Sequence, residues 1–165
     1  MMQITINGEA RDLVGNPPAV GEEIPHFKVF NANHEKVKTR EFFDKPTLIS
    51  VVPSITTSVC SLQTKKFNQQ MDEYPNANFV TISVDTPEQQ ADWCAAEGVK
   101  NMQLLSDSEQ SFGYALKVLI PDESVLARSI FVLDVDGKIV YEQVVPELTD
   151  EPDYAAALAA LEKLG

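Results

Sequence analysis

Residues 47–71 read TLISVVPSITTSVCSLQTKKFNQQM, and a change of period inside this stretch decides the fold. Leu48, Ile49, Val51 and Val52 form a short apolar run that reads as a buried strand. Pro53 ends it, because proline has no N–H to donate to a ladder. Ser54, Thr56, Thr57 and Ser58 then make a hydroxyl-rich turn, and from Val59 the pattern becomes helical. Cys60, Thr64, Phe67 and Met71 fall on one stripe of that helix. Cys60 therefore stands where a strand hands over to the first turn of a helix. Unpaired N–H groups and the positive end of the helix dipole converge at such a place. A thiol there is favoured as thiolate, the nucleophilic and redox-active form. A cysteine that merely fills space is the commoner case; the polar turn behind a strand shifts the reading towards chemistry.

Outward from this stretch, the chain punctuates itself clearly. Ile4 and Ile6 flank Asn7-Gly8, a strong hairpin signal, and Asn16 to Pro25 is an aperiodic connection. Phe27, Val29 and Val37 bracket Asn31-Ala32-Asn33, which predicts a second hairpin on the surface. Phe79, Val80, Ile82 and Val84 form another apolar run. Thr86 reads as an N-cap, Pro87 as the first helical residue and Gln89 as the return arm of a capping box. The helix this predicts ends at Gly98, a natural C-cap. On it Ala91, Cys94 and Ala95 are expected to share a face, with Trp93 turned away. Met102–Leu105 reads as a strand and Ser111–Leu116 as a helical turn. Residues 129–134 and 138–144 alternate around Asp136-Gly137, a further hairpin signal. Tyr154, Leu158, Leu161 and Leu164 give a closing helical stripe. The order β-α-β-α-β-(α)-β-β-α predicts an α/β fold, a mixed central sheet flanked by helices on both faces.

Composition narrows the function. The 165 residues suit one domain spanning 1–165, and 25 acidic against 13 basic residues give a net charge of −12. Such a chain repels phosphate backbones and anionic lipid, which argues against nucleic acid and membrane partners. No apolar run approaches bilayer length and the N-terminus lacks a leader pattern, so a cytoplasmic location is expected. Cys60 and Cys94 make no C-x-x-C motif. With His26 and His34 they match no usual zinc spacing, so no metal or cofactor is expected. Both histidines lie in polar segments and read as solvated.

Two further residues draw notice. Thr57 precedes Cys60 by three positions, where a turn can fold its hydroxyl back towards the sulfur; a plain capping role is the alternative. Arg128 stands before the apolar strand SIFVL. It is either a solvated gatekeeper or, if parallel neighbouring strands bring it beside Cys60, a fixed charge that favours thiolate.

The run P-S-I-T-T-S-V-C from Pro53 resembles the peroxiredoxin pattern P-x-x-x-T-x-x-C. QTKKFN, WCAAEGVKN, LLSDSEQSFGYAL, LARSIFVLDVDGKIVY and VPELTDEPDYAAALAAL extend the likeness to the bacterial thiol peroxidases, the atypical two-cysteine branch, from about residue 15 onward. Thr56 departs from the aspartate common there, and Lys65 from arginine. The resemblance implies a thioredoxin-like fold with an N-terminal β-hairpin extension. It implies Cys60 as the peroxidatic cysteine, Cys94 as the resolving cysteine, Thr57 and Arg128 as peroxide-holding groups, and Pro53 as a pocket shield. It further implies hydrogen peroxide and organic hydroperoxides as substrates, an intramolecular disulfide, thioredoxin as reductant and a homodimer. Readings from other classes are a cysteine hydrolase, which needs a histidine base near the thiolate, a non-enzymatic redox sensor relaying oxidation to a partner, and a protein-binding module.

Overall fold

A computed structural model describes residues 2–42, 44–55, 58–97 and 103–164. The N-terminal hairpin pairs β1 (Gln3–Ile6) with β2 (Glu9–Asp12). Asn7 and Gly8 join the strands with φ of 51° and 85°, the left-handed pair that a two-residue turn of this twist requires. A second hairpin, β3 (Lys28–Phe30) and β4 (Lys36–Lys38), comes next. The Asn31 side chain closes its turn by accepting the N–H groups of Asn33 and Glu35. This hairpin is not a separate surface flap: it forms one edge of the main sheet, where Lys28, Lys36 and Lys38 face solvent and Val29 and Val37 face the core.

The apolar run of the opening stretch is β5 (Thr47–Val51), buried along its whole length, and it leads into α1 (Ser58–Gln70). Beyond come β6 (Asn78–Ser83), α2 (Pro87–Glu97), β7 (Gln103–Ser106) and the short α3 (Ser111–Ala115). A small ribbon of β8 (Leu119–Ile120) and β9 (Val125–Leu126) precedes β10 (Ser129–Leu133), β11 (Ile139–Val144) and α4 (Tyr154–Glu162). That ribbon has no counterpart in the sequence reading, because two-residue strands show no period. The expected C-cap Gly98 and the expected strand start Met102 lie outside the described residues.

Among the described residues the main sheet has the order β11-β10-β5-β6-β7-β3-β4. β5, β6 and β7 run parallel, and both flanks are antiparallel. Successive residues of the central strands enter opposite cores. Leu48, Phe79 and Ile130 pack with Phe67 of α1 and with Ala157 and Leu161 of α4 on one face. Ile49, Val80 and Phe131 pack on the other with Phe112 of α3 and with Ile4 and Leu13 of the N-terminal segment. Two-sided burial is why these strands read as unbroken apolar runs, each buried aliphatic contributing about 1.5–3 kcal/mol of transfer free energy.

The capping box of α2 forms as expected: Thr86 N–H donates to Gln89 Oε1 at 2.9 Å and Gln89 N–H to Thr86 Oγ1 at 3.3 Å. Its inward face is different. Pro87 and Gln90 are buried and Trp93 and Cys94 half-buried, whereas Ala91 and Ala95 are exposed. A helix of small residues offers little apolar contrast, so its orientation is set by Gln90, whose amide bonds Ser83 and Leu105.

Candidate active site

The third residue of α1, Cys60, has 0% of its surface exposed and shares the apolar cluster of Phe67 and Ile130. What meets its sulfur comes from across the sheet. β5 and β10 are antiparallel, with Val51 opposite Ser129. The end of β5, from which the chain reaches Cys60, therefore lies beside the start of β10, which Arg128 precedes. Antiparallel pairing is required for this. Parallel neighbours would place the start of one strand beside the start of the other, so that part of the sequence reading is corrected.

Arg128 is 3% exposed and held on three sides. Its Nε donates to the Leu148 carbonyl at 2.8 Å, Nη1 to Gln63 Oε1 at 2.9 Å and Nη2 to Cys60 Sγ at 3.4 Å. A buried guanidinium satisfied in this way is not a solvated gatekeeper; it is a fixed positive charge aimed at one sulfur. Gln63 sits one turn after Cys60 and is itself buried; its Nε2 donates to Ser50 Oγ on β5 at 2.7 Å. Thr64 donates to the Cys60 carbonyl at 2.9 Å. Gln63 escaped the sequence reading, although a polar residue between Cys60, Thr64 and Phe67 on a buried stripe was the available signal.

The loop before α1 is tied down by Asp85. Its carboxylate accepts from Ser54 Oγ at 2.9 Å, from Ile55 N–H at 2.7 Å and from Ser83 Oγ at 2.7 Å. Pro53 is buried at the end of β5. Asp85 immediately precedes the N-cap of α2, so one carboxylate joins the segment leading to Cys60 and the segment leading to Cys94.

Both cysteines are free thiols. Cys94 lies half-buried against the same apolar cluster as Cys60, and Lys65 Nζ of α1 reaches Glu97 of α2 at 3.3 Å, so the two helices are neighbours on one sheet face. Burial pushes the Cys94 thiol up, away from thiolate. Thr57 and Thr56 lie outside the described residues. The structure thus brings Cys60 and Arg128 together, with Cys94 on the adjoining helix and Pro53 buried two residues past the end of β5.

The histidines stand apart. His26 is exposed, and His34 Nε2 contacts Glu88 Oε1 at 2.7 Å on the surface. Among the described residues no three His, Cys, Asp or Glu side chains converge to hold a metal ion, and no helix is long and apolar enough to cross a membrane.

Comparison with known proteins agrees with this geometry. The profile of the Redoxin family matches residues 19–158. A thiol peroxidase of Listeria innocua is 47% identical over 164 residues, covering 99% of each chain. A thiol peroxidase of Bacillus subtilis is 41% identical over 165 residues, again covering 99% of each. The crystal structure of a peroxiredoxin-like protein from Aquifex aeolicus superposes with a TM-score of 0.91 at 29% identity, covering 100% of this chain and 98% of that one. A buried cysteine at a helix start, a buried arginine on its sulfur and a mixed sheet beneath them sit on a chain that belongs to the Redoxin family and is similar to thiol peroxidases along nearly its full length.

Proposed function

We propose that this protein is a thiol-dependent peroxidase that reduces hydrogen peroxide and organic hydroperoxides, with Cys60 as nucleophile. The observation that carries the reading is the 3.4 Å contact between Arg128 Nη2 and the buried Cys60 sulfur at the start of α1. Cys60 thiolate attacks one peroxide oxygen, the O–O bond breaks, and the departing oxygen takes a proton and leaves as water or alcohol. Charge moves from sulfur to that oxygen, and Arg128, with the Thr57 hydroxyl, donates to it as it develops. Pro53 shields the pocket from water.

Cys60 is left as sulfenic acid. Cys94 gives up its thiol proton as its sulfur attacks that of Cys60, an S–S bond forms, and the hydroxyl takes up a proton and leaves as water. Thioredoxin reduces the disulfide by exchange, regenerating both thiols. Closing the bridge needs the two Cα atoms within about 7 Å; the first turn of α1, α2 (Pro87–Glu97), or both open locally to allow it, α2 more readily because its residues beyond Gln90 are mostly exposed. No resident cofactor enters these steps. The chain acts as one domain over 1–165, as a homodimer in the cytoplasm.

The test is peroxide consumption coupled to thioredoxin and its reductase, with hydrogen peroxide and a bulky alkyl hydroperoxide in parallel. Cys60→Ser abolishes turnover of both; measurable turnover by the pure variant overturns the assignment. Wild type that is oxidised once but does not turn over with thioredoxin is instead a redox sensor.

A further inference from the structure

The support beneath Arg128 leads to a part of the fold that lies on the other face of the sheet. The carbonyl that accepts Arg128 Nε belongs to the peptide between Leu148 and Thr149. The N–H of that same peptide, on Thr149, donates to Glu147 Oε2 at 3.0 Å. A trans peptide is planar, with N–H and C=O on opposite sides, so fixing one end fixes the direction of the other. Glu147 therefore sets the line along which the Leu148 carbonyl meets the guanidinium.

Glu147 is itself gripped from the N-terminal hairpin. Its Oε1 accepts from Gly8 N–H at 2.8 Å and from Thr5 Oγ1 at 2.9 Å, and its Oε2 from Asn7 N–H at 3.2 Å. Thr149 Oγ1 adds a bond of 2.7 Å. The left-handed turn at Asn7-Gly8 makes two successive N–H groups point at one carboxylate, an anion-holding arrangement. Two backbone bonds of 2.8 Å, Thr5 N–H to the Pro146 carbonyl and Leu148 N–H to the Thr5 carbonyl, dock the strand alongside. These donors hold the Glu147 carboxyl down at about 2, so it is anionic throughout the working pH range.

We propose that Glu147 is a positioning residue for the peroxidatic site: by clamping the tip of the N-terminal hairpin it fixes the Leu148–Thr149 peptide, and through that peptide the aim of Arg128 at Cys60. The inference rests on the reading that Arg128 acts on the reacting sulfur. The hairpin is then a working part of the site, although none of its residues approaches the sulfur.

Glu147→Gln keeps the shape and turns one acceptor into a donor facing donors. The rate at which peroxide oxidises the fully reduced protein, followed by stopped flow on the single tryptophan, Trp93, falls about tenfold. Asp12→Ala loosens the same hairpin by removing the acceptor of the 2.7 Å bond from Gln3 Nε2 and leaves that rate unchanged. Exchange of the Arg128 Nε proton, read by NMR, speeds up in Glu147→Gln and not in Asp12→Ala, a signal that a general loss of stability does not give. Because Glu147 works through Arg128, adding Glu147→Gln to Arg128→Met slows the reaction no further. Multiplying effects, or a Glu147→Gln rate within twofold of wild type while Arg128→Met is slow, overturn the clamp alone. An Arg128→Met variant as fast as wild type overturns the role of Arg128 and the clamp with it. Should Glu147→Gln fail to fold, Glu147→Asp, which shortens the arm by one methylene, carries the same comparison with a smaller loss of rate.

Discussion

Replacing Arg128 with methionine tests the electrostatics of the site most directly. Methionine keeps most of the buried volume and removes the charge together with all three directed bonds. At the observed 3.4 Å, with an effective dielectric of about 20, the gross attraction between guanidinium and thiolate is about 5 kcal/mol. Part of that attraction is already present before the O–O bond begins to break. Only the share gained as charge moves from sulfur to the departing oxygen affects the rate. Removing one such donor costs other enzymes about 10²–10³ in rate, or about 3–4 kcal/mol. The oxidation of reduced protein by peroxide is expected to slow by that factor in single-turnover stopped flow. Stability changes far less. Gln63 Oε1 loses its donor inside a fully buried site, a cost of about 1–3 kcal/mol. Relief from burying a guanidinium offsets much of it. A variant with the wild-type circular dichroism spectrum that oxidises within about threefold of the wild-type rate refutes the argument.

Two other perturbations probe separate parts of the molecule. Cys94→Ser is expected to keep the first oxidation of Cys60 while losing recycling by thioredoxin, and mass spectrometry after excess peroxide should find sulfinic acid on Cys60, because no thiol intercepts the sulfenic form; full turnover by this variant removes Cys94 from the mechanism. Asp107 caps α3, accepting from Phe112 and Gly113 N–H at 2.8 and 2.9 Å, yet burial pushes its carboxyl up from 3.8 to about 6. The folded state therefore holds the proton more tightly than the unfolded chain, so this group's stabilisation is complete below about pH 4 and is lost as pH rises through 6. Relative to Asp107→Asn, wild type should lose about 2 kcal/mol between pH 4 and 7 in urea melts, and a pH-independent difference between the two proteins refutes the assignment.

Much of the site was legible because it is written in local chemistry. The switch from an apolar run to a helical stripe located Cys60, Asn7-Gly8 and Asp136-Gly137 located hairpins, and Thr86, Pro87 and Gln89 located the start of α2. What stayed hidden depends on pairing between distant segments. Arg128 could be noticed, but the antiparallel partnership of β5 and β10 that delivers it leaves no local mark. Gln63 looks like any polar helix residue until the sheet covers it, and Leu148 acts through a carbonyl that every residue possesses. The face of α2 was misjudged for a related reason: with alanines on several sides, a single glutamine finding Ser83 and Leu105 decides the orientation.

The antiparallel partnership of β5 and β10 also separates the site's two halves in time. Cys60 and Arg128 lie 68 positions apart, and the chain is made from its N-terminus. At common rates of synthesis, about 5–20 residues per second, the cysteine is made roughly 3–14 s before the arginine exists. During that interval it is a thiol on an unfinished helix with no guanidinium beside it. On the role proposed for Arg128, the full reactivity of Cys60 towards peroxide arrives only when β10 docks.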